Sequence, residues 1–417
     1  MRLITDWHVH SKHSRACSKE LELPTIAKWC ARKGIDVVAT GDWTHPKWVE
    51  HLNERLVESE PGLYRLKGAE GAKGVRFMLV TEVSQIYKRG GKTRRVHNLL
   101  FAPSLETVAK VNAWLDKEEF NRKSDGRPIL GTDSEELFKA LKDIDERIIL
   151  VPAHAWTPWY SVFGSKSGFD SLEECFGSMT RHVHAIETGL SSDPKMNWRL
   201  SGLDTVALIS NSDAHSPRNL GREANVFDLA APSYDAFVDA LKSRDPKRFL
   251  HTIEFFPEEG KYHLDGCADC KFSCAPKETK RLGGRCPTCK KPLTLGVEHR
   301  VEALADREAA PEGKIPFKSI VPLEEVIADA FGVGVLSKRV RAEYERLTDQ
   351  VADEFTLLLD TPIEAIAEVA STPNVSEAIR RMREGRVDIK PGYDGIFGTV
   401  RLLGDGRPTK PAQRNLL

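Results

Sequence analysis

Short apolar runs recur through the first half of the chain, and most end in a residue able to ligate a metal. Leu3-Ile4 leads into Asp6-Trp7-His8-Val9-His10, and the run Ile35 to Gly41 leads into Asp42. Phe77-Met78-Leu79-Val80-Thr81 ends in Glu82, and Arg95-Val96 reaches His97. Ile148 to Ala153 ends in His154, Ala185-Ile186 in Glu187, and Val206 to Ser212 in Asp213-Ala214-His215. Runs of this kind read as buried strands. A strand alternates its side chains between two faces, so His8 and His10 point the same way. Neutral imidazoles suit Zn, Fe, Ni and similar ions, so this pair is half of a metal site. One such ending also reads as surface residues at a strand end; seven in order do not. Barrels of alternating strands and helices gather functional groups at the C-terminal ends of their strands. The pattern therefore predicts an α/β fold, with one barrel-like domain over residues 1 to 250 around a polynuclear metal site.

Helical periods fall between the runs: Pro24 to Lys33 stopped by Gly34, Lys47 to Val57, and a helix ending near Ile144. The last is capped by Thr132-Asp133-Ser134-Glu135-Glu136. Lys88-Arg89-Gly90-Gly91-Lys92-Thr93-Arg94-Arg95 reads as a hairpin tip. Its positive charge is open to two readings, a solvated turn or a finger that grips phosphate through Lys88, Arg89 and Arg94. The aromatic loop Trp156-Thr157-Pro158-Trp159-Tyr160 either stacks a base or packs the barrel rim. Arg218, Arg222 and Asn225 follow His215 closely and are expected in the same mouth.

After about Thr252 the pattern changes. Cys267-x2-Cys270 and Cys286-x2-Cys289, separated by 15 residues, have zinc-ribbon spacing and predict one structural Zn. Cys274 is a spare thiol and His263 a weaker competing ligand. Lysines and arginines from Lys271 to Lys291 surround the cysteines. A zinc-binding module is expected over 251–315 and a helical domain over 316–400. Helical periods there cover Val326-Ile327-Ala328, Val340 to Leu347 and Val351 to Leu359. Phe331-Gly332-Val333-Gly334-Val335 joins two of them, as a tight corner or as a hairpin whose N–H groups meet DNA phosphate. Arg380, Arg381, Arg383 and Arg386 line a late helix end.

The chain has 417 residues, too many for one ordinary core. Its 61 basic and 61 acidic residues balance, which argues against a wholly electrostatic nucleic-acid binder but permits a local basic surface. Five of the eight cysteines cluster between Cys267 and Cys289, which in a reducing compartment favours metal over disulfides. No apolar run approaches the roughly 20 residues of a membrane span, and the N-terminus enters a strand without a signal peptide. A soluble, cytoplasmic protein is expected.

The ordered set His8-x-His10, Asp42, Glu82, His97, His154, Asp213-x-His215 resembles the PHP (polymerase and histidinol phosphatase) superfamily. That resemblance implies a distorted seven-stranded α/β barrel with a trinuclear metal centre. His8, His10, Glu82 and Asp213 would hold one ion, and Glu82, His97 and His154 a second; Asp42 and His215 would hold the third. Two or three divalent ions (Zn, Mn or Mg) are implied. Two positions depart from the pattern: the acid or His expected after His-x-His falls near Ala16-Cys17, and Asp42 replaces a common His.

Over nearly its whole length the chain resembles the endonuclease Q family. Thr40-Gly41-Asp42, the stretch Glu187 to Pro194, and the stretch Ser210 to Pro217 carry the resemblance. So do Gly296 to Val301 and Pro391-Gly392-Tyr393-Asp394-Gly395. It implies a repair nuclease that nicks double-stranded DNA 5′ of deaminated bases (uracil, hypoxanthine, xanthine) and abasic sites. A base must leave the stack before its edge is read, so a pocket beside the metals is expected. Asn211, Arg218, Arg222, Asn225 and Trp156 are candidates for it. Asp213 and Glu82 would act at the metals, and Glu187 as a supporting group or proton acceptor. The rival readings are a PHP phosphoesterase acting on a small phosphorylated substrate and an inactive DNA-binding scaffold.

A flexible tail is expected over 401–417, because Arg407-Pro408-Thr409-Lys410-Pro411 has no apolar period. It ends in Gln413-Arg414-Asn415-Leu416-Leu417, either a frayed terminus or a peptide that docks on a sliding clamp.

Overall fold

The structure is a computed structural model that describes residues 1–68 and 74–404. It is a mixed α/β fold around one central sheet of eleven strands. In chain order these are β1 (Arg2–Asp6), β2 (Val37–Ala39), β3 (Leu56–Glu60), β4 (Leu63–Leu66), β5 (Arg76–Arg89), β6 (Lys92–Ala102), β7 (Ile129–Leu130) and β8 (Ile149–Pro152). β9 (Ala185–Glu187) and β10 (Ala207–Ile209) form a separate parallel pair. β11 (Ala224–Asp228) and β12 (Phe249–Glu254) return to the central sheet. β13 (Asp265–Cys267) and β14 (Phe272–Cys274) make a small hairpin, and β15 (Phe317–Ser319) pairs in parallel with β12. β16 (Asp388–Lys390) and β17 (Thr399–Arg401) close the described chain as a second hairpin.

Neighbours run β1, β2, β5, β6, β8 through hydrogen-bonded pairs. The end of β8 then reaches β9, where the Ala155 N–H donates to Glu187 O at 2.9 Å. Past β10, a parallel bridge between Ala214 and Val9 leads back to the end of β1. His8, Asp42, Glu82, His97, His154, Glu187 and Asp213 therefore sit on, or just beyond, seven successive neighbours. The alternation read from Asp6 to His10 also explains the residue just past β1: Trp7 is fully buried against Phe227, Phe237 and Phe101. One face feeds the core and the other feeds the site.

Two expectations about strand ends are corrected. β5 does not stop at Glu82 but continues to Arg89, and His97 lies in the middle of β6. β5 and β6 form one long antiparallel hairpin in which Glu82 pairs with Leu99 and Ser84 with His97. Glu82 and His97 are thus diagonal neighbours on one face, close enough for long side chains to meet. The alternate residues Val83, Gln85 and Tyr87 stay buried beyond Glu82, Gln85 with its amide bonded to Thr132 O and Asn98, and the strand persists.

The first helix runs Leu23–Lys33 and ends at Gly34 in the left-handed conformation, φ 84°. The second stops at Arg55, and Val57 enters β3 instead of the helix. The helix expected from Val351 begins at Glu354, where the Asp353 side chain accepts from Thr356 N–H. β12 crosses the boundary expected at residue 250, and β15, expected in the helical region, extends the central sheet. The C-terminal helices pack onto the first helix through a buried pair, Lys33 Nζ to Glu354 at 2.8 Å, which also takes the Tyr344 hydroxyl. Among the described residues no helix is long and apolar enough to cross a membrane. The tail peptide Gln413 to Leu417 lies outside the described residues.

Candidate metal centre

Two groups of donors converge at the mouth. His8, His10, Glu82 and Asp213 form one, and Glu82, His97 and His154 the other, the donor atoms of each lying within 4.8 Å of one another. Glu82 joins them. Its Oε1 is 2.7 Å from His97 Nδ1 and 3.1 Å from His154 Nε2, and its Oε2 is 3.4 Å from both His8 Nε2 and His10 Nε2. Asp213 Oδ1 stands 3.1 Å from His10 Nε2 and 3.4 Å from His8 Nε2. Three site residues adopt positive φ just after strands end: Asp42 (43°), His154 (32°) and Asp213 (47°). Such backbone is costly for non-glycine residues and clusters where side chains must be aimed. Gly189 lets the next strand end come close, since a Cβ there would meet His154 Cβ at 2.6 Å.

The donor set fits divalent cations. Glu82 is buried and the Asp213 side chain half-buried, and burial opposes the charge of both. His97, Arg127 and His8 nevertheless hold Glu82 well below the usual carboxylate range, while His8 and His215 do the same for Asp213. His8 Nε2 is a buried nitrogen with no hydrogen-bond partner. Burial pushes His97 down to about 4, against the pull of the Glu82 charge beside it. An anionic, imidazole-rich pocket with an unused nitrogen is suited to a cation.

Behind the donors is a layer that orients them. Glu187, fully buried, faces His8 Nδ1 at 3.0 Å, accepts the His154 N–H at 2.7 Å and the Asn211 amide at 2.8 Å. A carboxylate on one ring nitrogen leaves the other for metal. Glu187 therefore stands behind His8, in the supporting position. Asp42 does the same for His10: Oδ1 is 3.1 Å from His10 Nδ1, and Oδ2 accepts from the Ser11 N–H and hydroxyl. Asp42 and His215, expected to hold a third ion, join no group of three or more donors among the described residues. Asp42 is occupied behind His10, and His215 Nδ1 turns to its neighbour Asp213 O at 2.8 Å. Only two groups of three or more donors form at the mouth among the described residues. Near the gap at Ala16-Cys17, burial keeps the Cys17 thiol neutral, at about 12.

Several base-pocket candidates are corrected by burial. Asn211 accepts the Trp7 N–H at 2.8 Å and its side chain is fully buried. Asn225 spends its amide on Ser210 O and Asn211. Trp156 is buried against Phe163 and donates to Asn197 Oδ1 at 2.7 Å. These three build the wall and do not face the mouth. Arg218 pairs with Glu324 at 2.8 Å, on the side of the helical region. In the basic hairpin Arg89 is taken by Asp133 and Glu135 and Arg94 by Gly168 O, while Lys88 is exposed. Arg380, Arg381 and Arg383 are likewise engaged within their own region.

Arg222 does border a cavity of about 470 Å³ that adjoins His97, His154 and Asp213. Its apolar lining includes Trp159, Tyr262 and Phe397. Sequence reasoning missed Arg127, which donates to Glu82 Oε2 at 2.9 Å, and the tyrosine Tyr262.

The four cysteines Cys267, Cys270, Cys286 and Cys289 converge, all sulfurs within 4.8 Å. Cys267 and Cys289 are 3.8 Å apart, the spacing of sulfurs about 2.3 Å from a tetrahedral zinc. N–H groups of Cys289 and Thr288 pull the Cys286 thiol down to about 6, toward the thiolate a metal takes. Cys274 meets Thr279 instead, and His263 lines the cavity, so neither joins the group.

The crystal structure of the lesion-specific endonuclease PfuEndoQ from Pyrococcus furiosus superposes with a TM-score of 0.85 at 32 % identity, covering 96 % of both chains. A second solved structure, endonuclease Q with a 27-mer duplex substrate bearing an abasic lesion at its active site, gives 0.84 and 32 % over the full length of both. This chain belongs to the endonuclease Q family. Consistent with that membership, residues 322–386 match the MJ0043 C-terminal domain and residues 205–246 match a PHP-associated family. The uncharacterized protein MJ0043 of Methanocaldococcus jannaschii is 31 % identical over 252 residues, 59 % of this chain. That match spans 31 % of the relative's own length.

Proposed function

We propose that this endonuclease Q family member is a metal-dependent endonuclease of DNA repair, which hydrolyses the phosphodiester 5′ of a deaminated base or an abasic site. The observation that carries the reading is Glu82, a buried carboxylate shared by two imidazole-rich donor groups beside an aromatic-lined cavity. The family's complex with an abasic duplex supports DNA as the substrate class. His8, His10, Glu82 and Asp213 would hold one divalent ion and Glu82, His97 and His154 another. Ions held there supply Lewis acidity and a water that ionises near neutral pH. Glu187 and Asp42 keep the rings of His8 and His10 aimed. Arg127 brings a guanidinium to Glu82, where its fork can meet phosphate oxygens. The cavity would receive a flipped base or sugar, to which Tyr262 and Trp159 offer apolar surface.

The circuit of seven strand neighbours supports a distorted barrel over residues 1–250. The converging thiols support a structural zinc over 251–315, followed by a helical region over 316–400. Docking of the tail on a sliding clamp remains a proposal of the same reading, tested by anisotropy of a labelled Pro408 to Leu417 peptide. The decisive experiment is a nicking assay with Mn²⁺, Mg²⁺ or Zn²⁺. Duplexes carrying uracil, hypoxanthine, xanthine or an abasic site are compared with an undamaged duplex and a small phosphomonoester. Damage-dependent nicking at the 5′ side is expected. Phosphomonoester hydrolysis without nicking would overturn the reading.

A further inference from the structure

Two consecutive large apolar residues stand exposed, Ile396 at 40 % and Phe397 at 37 %. Phe397 lines the cavity that reaches His97, His154 and Asp213. Both sit on residues 391–398, the connection between β16 and β17. This connection is tightly held. Tyr393 and Ile396 exchange both backbone hydrogen bonds, at 3.0 and 2.8 Å, across a turn with Asp394 and Gly395 at φ 44° and 86°. Gly392 N–H donates to Glu258 O, Gly395 N–H to Lys261 O and Gly398 N–H to Glu259 O. The Asp394 side chain takes the Ala268 N–H at 2.7 Å. So firm a loop holds its apolar tip in water without collapsing it onto the core. Lys261 brings a cation 5.8 Å from the Phe397 ring and 5.7 Å from Tyr262.

Proteins that kink or open a duplex insert rigid apolar side chains between base steps. A nucleotide that leaves the stack uncovers the faces of its neighbours, and an apolar tip beside the receiving cavity can cover them. We infer that Ile396 and Phe397 form a wedge that enters the base stack where the damaged nucleotide leaves, with Lys261 near the displaced backbone. The inference rests on the nuclease reading above and adds the group that holds the duplex open.

The test uses full-length protein and two duplexes with the same lesion, one fully paired and one with the lesion inside a three-base bubble. The bubble is already unstacked and needs no wedge. Replacing Ile396→Ser and Phe397→Ser together should lower the ratio of kcat/KM on paired over bubble duplex by about tenfold, the scale of one lost stacking contact. Phe397→Leu should restore most of that ratio. A 2-aminopurine next to the lesion should brighten when the wild type binds, and much less with the double variant. Equal losses on both duplexes would make these residues a cavity wall and overturn the wedge, as would unchanged ratios. Absence of cleavage by the wild type on either duplex would count against the nuclease reading alone, because the 2-aminopurine signal reads the wedge from binding.

Discussion

Arg127 donates to Glu82 Oε2 at 2.9 Å, on the one carboxylate that both donor groups share. With cations held at those groups, Glu82 would be neutralised and the Arg127 guanidinium would be free for a phosphate. Arg127→Ala is therefore expected to lower single-turnover cleavage by roughly a hundredfold, the scale of removing one preorganised donor. Arg127→Lys should recover part of it, because a point charge remains without the fork. Unchanged single-turnover rates would reduce Arg127 to an ion pair of the metal-free protein.

Asp213→Ala should abolish nicking while leaving folding and DNA affinity nearly intact. Asp213 faces both His8 and His10, so its loss removes the carboxylate that completes their group. Normal cleavage by the variant, with DNA affinity measured beside it by gel shift, would remove this assignment.

Glu187→Gln should act differently. The side chain keeps its shape but no longer holds the His8 Nδ1 proton with a full charge. Loss of such a supporting carboxylate costs about 10- to 100-fold in metal affinity. Calorimetric titration of metal-stripped protein should show that weakening, with cleavage restored at high metal concentration. A rate loss that no metal concentration restores would point instead to a direct role for Glu187.

The legibility of this site followed distance along the chain. Strand alternation placed His8 and His10 on one face, and ordered strand ends supplied Asp42, His154 and Asp213. Glu82 and His97 were readable as residue types and Lys88 to Arg95 as a hairpin tip, but the run of β5 past Glu82 was not, because a ligand-type residue after an apolar run looks the same whether the strand stops or continues. Asn211 and Asn225 looked like mouth residues because they border the Asp213 motif. Their real partners, Trp7 N–H and Ser210, come from strand packing that local pattern does not encode. Arg127 lies in Asp125-Gly126-Arg127-Pro128, an irregular stretch with no period, and only the folded chain brings it to Glu82. The cysteine spacing was sufficient on its own, since four ligands at fixed intervals need no distant context.

Cys286→Ser should release about one zinc per chain and lower the melting temperature, by the four-ligand rule for structural sites. The effect should be largest here because Cys286 is fully buried in the small cluster it shares with Cys267 and Leu293. Zinc content by mass spectrometry of the native protein and a thermal melt check it. Retained zinc would require Cys274 to move from Thr279 into the group.

Glu223 and Glu254 form a second buried pair of acids, and each leaves one oxygen, Glu223 Oε2 and Glu254 Oε1, without a hydrogen bond. Burial pushes Glu254 up to about 8 and raises Glu223 well above the carboxylate range, with the Glu254 charge adding to the latter. Both therefore bind protons more tightly in the folded chain than in the unfolded one, where an ordinary glutamate titrates near 4.3. Their contribution to stability is complete below that value and is lost as pH rises toward about 8, because the folded state must then bury charge. Glu254→Gln removes the titration while keeping an acceptor for the Thr188 hydroxyl, which donates to Glu254 at 3.0 Å. The melting temperature of the variant should differ little from the wild type at pH 5 and exceed it increasingly up to about pH 8. A constant offset across that window would mean that Glu254 does not titrate there.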